Sequence, residues 1–318
     1  HINALSPLTG ILGSSNIGGA FGVSLRRCNI QQLIIRGRAS RPVYLWIDGD
    51  AIEIRNAKSL WGKDTWETEK LLKNRLGSEK LKILAIGPAG EKECRFGCII
   101  TDRHHAAGRT GMGSVMGSKN LKAIVVKAQK SKVAFRPKND IHEAIKRYLW
   151  QMKYSPEFKS MREHGGAGYV DWADELAILG TRNYRDYHFE DVKRIDGKQL
   201  KKNITRKHGC PRCPVQCKAD LKFSTGRLKG KKAVRPEFEP MLALGAKCGL
   251  NYLQTLVYLD NLCTRLGLDS ISAGTVIAFA MDLFDRGILT QADTGGLDLN
   301  WGNAEAMEAL MRQMAYGE

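Results

Sequence analysis

The stretch DRHHAAGRTGMGSVMGSKNLKAIVV, residues 102–126, joins a glycine-rich loop, paired histidines and four cationic side chains to an apolar, β-branched run. Its glycines precede a strand, whereas a dinucleotide fingerprint places them after one, and the spacing is not that of a P-loop. Glycines let a backbone approach a large polar ligand, and free N–H groups suit phosphate-like oxygens. The run LKAIVV predicts a buried strand. A second loop of the same kind, SSNIGGAFG at 14–22, lies upstream. There an Asn side chain or a bare carbonyl can complete a magnesium shell. Each loop alone also reads as an ordinary turn; two in one β-rich region point toward a phosphate-bearing ligand.

Working outward, QQLIIRG (31–37), RPVYLWI (41–47), AIEI (51–54), KILAIG (82–87), FGCII (96–100) and KAIVVKA (122–128) are short apolar runs broken by Gly, Pro or Asp. They predict strands, with Asp48-Gly49 as a hairpin turn. Residues 59–76 show helical spacing. Beyond KAQKSKVAFRPKND (127–140) the pattern turns helical. Asn139 or Asp140 can cap a helix with Ile141, Ile145, Leu149 and Met152 on one face. The stripe Leu253, Leu256, Leu259, Cys263, Leu266 stops at Gly267, a natural helix-ending residue. AGTVIAFAMDLFDRG and NAEAMEALMRQMA predict two further helices. The expected fold class is α+β: a β-sheet-rich N-terminal domain over 1–130, then a mainly α-helical domain over 131–318, with the boundary near 129–138.

The 318 residues are 43% hydrophobic, enough for ordinary packed cores in two domains. No apolar run is long enough to span a membrane, and the first residues lack the pattern of a signal peptide, so a cytoplasmic location is expected. Most of the formal charge of +17 sits in residues 193–235, which hold fifteen Lys and Arg against Asp196 and Asp220, a net +13. That segment reads as a patch for nucleic acid, membrane or an acidic protein, or as a solvated face.

Eight cysteines in such a chain suggest metal or redox ligands, not a disulfide framework. In GCPRCPVQCKAD, Cys210, Cys213 and Cys217 follow Cys-x2-Cys-x3-Cys with Pro211 and Pro214 stiffening the loop. Three thiolates in one tight loop favour a [4Fe–4S] cluster. Zinc is the alternative, and it requires a fourth ligand for which His208 is the nearby candidate. Cys28, Cys248 and Cys263 read as buried small hydrophobes, and Cys94 and Cys98 as structural. In TRLGLDSIS (264–272), Asp269 reads as a helix cap, or as a carboxylate reading a guanine-like edge.

Taken in order, SPLTGILGSSNIGGAFG, AAGRTGMGSVMGSKNLKAIVV, CPRCPVQC, RLGLDSIS and QADTGGLDLNWGNAEAM resemble the signature segments of the aldehyde ferredoxin oxidoreductase family, the tungsten bis-pterin enzymes. The resemblance runs over essentially the whole chain. It implies a β-sheet base for the cofactor followed by mostly helical structure. The implied cofactors are tungsten bis-molybdopterin (tungstopterin), one [4Fe–4S] cluster and Mg2+. By position, Asn16 and the Ala106 carbonyl match magnesium contacts, Gly18 a pterin contact, and Gly108 and Arg109 pterin-phosphate contacts. His105 stands where the archaeal enzymes carry arginine, which loses a permanent charge and a forked donor. Gly267, Leu268, Asp269 and Ser270 match a pterin-binding motif whose first aspartate is replaced here by Thr264. Cys210, Cys213 and Cys217 match three cluster ligands. PEFEPMLALG (236–245) resembles a Glu-aromatic-Glu segment near the metal, making Glu239 the candidate carboxylate for orienting or deprotonating water, with Glu237 behind it. A charged helix start is the other reading of that segment.

The implied activity is oxidation of an aldehyde, or a related carbonyl compound, to the carboxylate, with electrons passing through the cluster to ferredoxin or a similar acidic carrier. A homodimer is compatible with this reading; nucleic acid and membrane are not expected partners. The fourth cluster cysteine, a second pterin motif and a histidine near the metal belong, in the family, beyond residue 318, and an arginine before His1. An internal fragment lacking the extreme N-terminus and a C-terminal domain is therefore expected. The alternative is a noncatalytic iron–sulfur electron-transfer subunit, against which the two glycine loops and RLGLDS argue. A zinc-dependent nucleic-acid binder is disfavoured because Phe223 alone supplies an aromatic ring in the basic segment.

Overall fold

The computed structural model describes residues 1–128 and 139–318. An N-terminal hairpin pairs β1 (Ile2–Leu5) with β2 (Leu12–Ser15). β3 (Val43–Asp48) and β4 (Ala51–Asn56) form the expected hairpin, turning through Gly49 at φ 61° and Asp50. With β5 (Lys82–Ile86), β6 (Ile99–Thr101), β7 (His105–Ala107) and β8 (Leu121–Lys127) they make a six-stranded sheet of order β4-β3-β8-β5-β6-β7. Only the β3–β8 pairing is parallel among these.

Alternation along the central strands divides the sheet into two buried faces. Leu45, Ile47, Leu84, Ile86, Ile124 and Val126 pack with Phe21, Met112 and Met116 on one side. Tyr44, Trp46, Ile83, Ala85, Ala123 and Val125 pack with Leu60 and Leu72 on the other. Burial on both faces is why the β8 sequence reads as continuously apolar. Its exception, Lys122, is fully buried and donates to the Lys63 carbonyl at 2.7 Å while pairing with Glu91. The expected helix of this half spans Thr65–Leu76, started by an Asp64/Glu67 capping box.

Two expected strands differ. QQLIIRG joins no sheet; Leu33 and Ile35 pack against the first core while Ile34 stays exposed, so hydrophobic burial proceeds without ladder pairing. FGCII is strand only from Ile99, because Gly97 and Cys98 pair with the other half of the chain. Gly97 bridges Leu268, and the Cys98 N–H donates to the Gly267 carbonyl at 2.7 Å.

In the second half, helices span Asn139–Tyr154, Pro156–His164, Tyr169–Glu175, Leu253–Leu266, Ser270–Asp285 and Ala304–Tyr316. The expected domain boundary at 129–138 and the capping side chains of Asn139 and Asp140 lie outside the described residues. The stripe on Leu253–Leu266 is buried at Leu256, Leu259, Cys263 and Leu266 and ends at Gly267 with φ 75°. The helical half also holds a three-stranded sheet that its sequence did not announce: β9 (Ile204–His208), β10 (Lys218–Lys222) and β11 (Lys232–Val234), in the order β11-β10-β9. Leu221 and Ala233, with the partly buried Ile204, pack against its core and Ala219 is buried beside them, too few for an apolar pattern, while Arg206, Lys207, Lys222 and Lys232 point outward.

The two halves meet at the end of the Leu253–Leu266 helix. Thr65 Oγ1 donates to the Thr264 carbonyl at 2.9 Å, and Arg265 pairs with Asp64 at 2.6 Å. A Cβ on Gly87 would stand 2.3 Å from the Leu266 carbonyl oxygen, so only glycine permits this approach. No described helix is long and apolar enough to cross a membrane.

Candidate functional site

A cavity of about 540 Å3 opens where the halves meet. The end of β2 brings Asn16 and Gly18 to its wall, β7 and the turn after it bring His105, Ala106, Gly108 and Arg109, and the loop between β9 and β10 brings Cys210 and Cys217. Glu237 and Glu239 enter beside the short helix Phe238–Pro240, and Leu268, Asp269 and Ser270 from the turn between two long helices. Of the expected site residues, Gly267 and Cys213 do not line it. Gly267 instead packs its backbone on Gly87, and the Cys213 N–H donates to the Cys210 carbonyl at 3.0 Å inside the cysteine loop.

The first glycine loop is pressed against the cysteine loop. The Gly19 N–H donates to Cys210 Sγ at 3.3 Å, and a Cβ on Gly18 would meet His105 Nδ1 at 2.8 Å and Cys210 Sγ at 3.1 Å. Asp102 fixes the loop from the other side, accepting from the Ala20 N–H at 3.0 Å and from Lys82 at 2.8 Å.

The glycines of residues 108–117 divide into two groups. Gly113 and Gly117 are packing residues: added Cβ atoms would lie 2.4 Å from the Cys98 carbonyl oxygen and 1.8 Å from that of Gly90. Gly111, with φ 72°, is similarly confined against Arg95. Gly108 has no such constraint, its Cβ meeting nothing closer than Asp269 Oδ1 at 3.6 Å, so protein packing does not account for its bareness toward the cavity.

Asp269 is 4% exposed and is a helix cap, as one of its two readings expected. It accepts from the N–H groups of Ile271 and Ser272 at 3.3 Å and from Ser272 Oγ at 2.5 Å, and it pairs with Arg109 at 3.2 Å. The pairing orients a guanidinium that is otherwise more than half exposed.

Electrostatics on the histidine side follow from burial. His105 is held down at about 4 and His104 at about 2 by desolvation; nearby Lys218 adds to the shift of both and the neighbouring His105 to that of His104. Both are neutral imidazoles at neutral pH. His104 stacks near His105 and His208, with ring centroids 4.5 and 4.7 Å away. His208 does not join the thiols, because its Nε2 faces Asp220 Oδ1 at 3.2 Å. Among the described residues no three His, Cys, Asp or Glu side chains converge on a point that could hold one metal ion. A mononuclear zinc site requires such convergence; a four-iron cluster does not, because each thiolate binds its own iron.

Three residues at this wall carry no sequence signal. Lys218 forms an ion pair with Glu237. Arg235, 2% exposed, donates to the carbonyls of Glu163, at 3.0 Å, and Cys217, bracing the cysteine loop. Asp260 faces the cavity from the Leu253–Leu266 helix. A five-residue π-turn, Met241–Gly245, directly follows the glutamates, a feature often found beside functional sites. Glu239 itself is exposed to the cavity, without a hydrogen-bond or ion-pair partner among the described residues.

A β base closed by a helical half over one polar chamber, with a thiol loop at its wall, has the layout of a protein that encloses a large polar ligand. Comparison with known proteins agrees. A profile described as "Aldehyde ferredoxin oxidoreductase, N-terminal domain" matches residues 1–128, and one described as "Aldehyde ferredoxin oxidoreductase, domains 2 & 3" matches residues 143–318. The chain belongs to the aldehyde ferredoxin oxidoreductase family. It is 37% identical to a tungsten-containing aldehyde ferredoxin oxidoreductase of Pyrococcus abyssi, over 98% of this chain and 52% of that protein. It is 34% identical to the "Aliphatic sulfonate oxidoreductase, WOR-like subunit" of Pyrococcus furiosus, over 95% of this chain and 50% of that protein. Among solved structures it resembles the "Active site complex BamBC of Benzoyl Coenzyme A reductase in complex with 1,5 Dienoyl-CoA", with a TM-score of 0.81 and 28% identity over 98% of this chain and 48% of that one. The chain thus spans about half the length of the relatives it matches.

Proposed function

We propose that this chain is the cofactor- and cluster-holding part of a tungsten-pterin oxidoreductase that converts an aldehyde, or a related carbonyl compound, to the carboxylate. Electrons leave through a [4Fe–4S] cluster to ferredoxin or a similar acidic carrier. The observation that carries this reading is the meeting of five separated segments on one cavity: Asn16 and Gly18; His105, Ala106, Gly108 and Arg109; Cys210 and Cys217; Glu237 and Glu239; and Leu268 to Ser270.

The residues present suit the implied groups. Gly18 and Gly108 leave bare backbone facing the chamber, and Arg109, aimed by Asp269, offers a forked cation to a phosphate. His105, uncharged, contributes a hydrogen-bonding edge and no charge. Asn16 and the Ala106 carbonyl offer hard oxygens to Mg2+. Cys210, Cys213 and Cys217 present half-buried thiols in a cationic segment, which offsets the negative charge of a thiolate cluster. When bound, the tungstopterin supplies the two-electron redox chemistry, and water supplies the oxygen atom of the product.

Glu239, without a partner, is the carboxylate free to orient a water and accept its proton. Glu237, held by Lys218, positions the segment that carries it. The outward-facing Arg206, Lys207 and Lys232, on the sheet that bears the cysteine loop, suit an acidic electron carrier.

Metal analysis of anaerobically purified protein tests the proposal. Tungsten or molybdenum together with iron, lost to below half in Cys210→Ser, is the expected outcome; zinc alone would sink it.

A further inference from the structure

The helix Leu253–Leu266 presents one carboxyl to the chamber that no motif accounts for. Asp260 lines the cavity together with Thr264, one helical turn further along the same face. Asp260 is partly buried, and among the described residues its carboxylate has neither a hydrogen-bond nor an ion-pair partner. The cations within reach are engaged elsewhere. Lys218 pairs with Glu237, and Arg235 donates to the Glu163 and Cys217 carbonyls. Arg109 is held by Asp269 and Ser272. Burial and the Glu237 charge push Asp260 up to about 7 against the pull of Lys218; Glu239, Asp269 and Arg103 are the other charged groups on this wall. A partly buried carboxylate that the protein gives no donor is open to one from the chamber. A ligand in the chamber can supply those donors.

The carboxylate's chemistry specifies that ligand. Two oxygens side by side match two adjacent N–H donors, such as the exocyclic amino and ring N–H of a 2-amino-4-oxo-pyrimidine ring. Thr264, whose hydroxyl gives its proton to the Asp260 carbonyl at 3.2 Å, offers a single neutral oxygen and cannot match two adjacent N–H donors as a carboxylate does. Asp269 cannot serve fully either, since two backbone N–H groups, Ser272 Oγ and Arg109 already occupy it. We propose that Asp260 binds the amino-heterocycle edge of the pterin, supplying one turn earlier the carboxylate that Thr264 lacks. This rests on the pterin reading given under the proposed function.

Binding of free pterin (2-amino-4-oxopteridine) to the 318-residue chain, followed by quenching of pterin fluorescence, tests it. Lumazine, the 2,4-dioxo analogue without the amino group, is the comparison. The chain should bind pterin more tightly than lumazine. Asp260→Asn, which keeps the side-chain shape, should weaken pterin binding about tenfold or more and leave lumazine binding unchanged. Adding Thr264→Asp to that variant should restore pterin binding. If Asp260→Asn binds pterin like the parent, or weakens both ligands equally, the assignment to Asp260 falls while the pterin reading stands. If the parent does not distinguish pterin from lumazine, both fall together.

Discussion

Asp260 should cost the fold stability, and the cost can be measured without any cofactor. Its carboxyl moves from the usual 3.8 to about 7 on folding, through burial and the charge of Glu237. At about 1.4 kcal/mol for each tenfold change in proton affinity, the displacement amounts to about 4 kcal/mol. The folded chain keeps a proton that the unfolded chain releases between about pH 4 and 7, so folding takes up a proton and stability falls as pH rises through that window. Asp260→Asn removes the titration. The variant should match the parent near pH 4 and gain on it steadily, reaching up to about 4 kcal/mol near pH 7 and holding that lead above it. Denaturant unfolding followed by tryptophan fluorescence at a series of pH values reads the difference directly. A difference that stays constant with pH, or a variant less stable than the parent near pH 8, would falsify the reasoning. A residue that weakens the fold and improves ligand binding is what a functional site tolerates.

Two further perturbations test the packing that builds the chamber. Lys122→Met strands Glu91 as a buried, unpaired carboxylate and should cost about 3–5 kcal/mol, whereas Lys122→Met with Glu91→Leu should recover most of it; equal melting temperatures for single and double variants would contradict this. Gly117→Ala places a methyl 1.8 Å from the Gly90 carbonyl oxygen, with backbone on both sides. It should cost about 3 kcal/mol or more and lower the melting temperature accordingly; an unchanged melting temperature would remove the packing explanation for that glycine.

Much of the fold was legible in local pattern. Continuous apolar runs marked β3, β5 and β8 because these strands are buried, the Asp48-Gly49 turn marked the exposed β4 as their hairpin partner, and the stripe ending at Gly267 marked the helix that carries Asp260. QQLIIRG shows the limit of the same signal: apolar residues specify burial, but a strand also needs a neighbour to pair with. The sheet β9–β11 was hidden for the converse reason. Its ladder is real, but only Ile204, Ala219, Leu221 and Ala233 supply buried or partly buried apolar side chains in a segment that charge dominates.

The sequence by itself determined the inventory of the site: two glycine loops, three closely spaced cysteines, a Glu-Phe-Glu segment and an RLGLDS turn. Each rests on local composition, and local composition survives without knowledge of the fold. Only the tertiary structure decided that these segments share one cavity and which glycines face it. It also brought in Lys218, Arg235 and Asp260, whose roles depend on neighbours distant in the chain. A lysine beside a glutamate, an arginine holding two carbonyls and an aspartate without donors are properties of surroundings. Burial, pairing and proton affinity are set by what folding places around a group, and no residue type carries them alone.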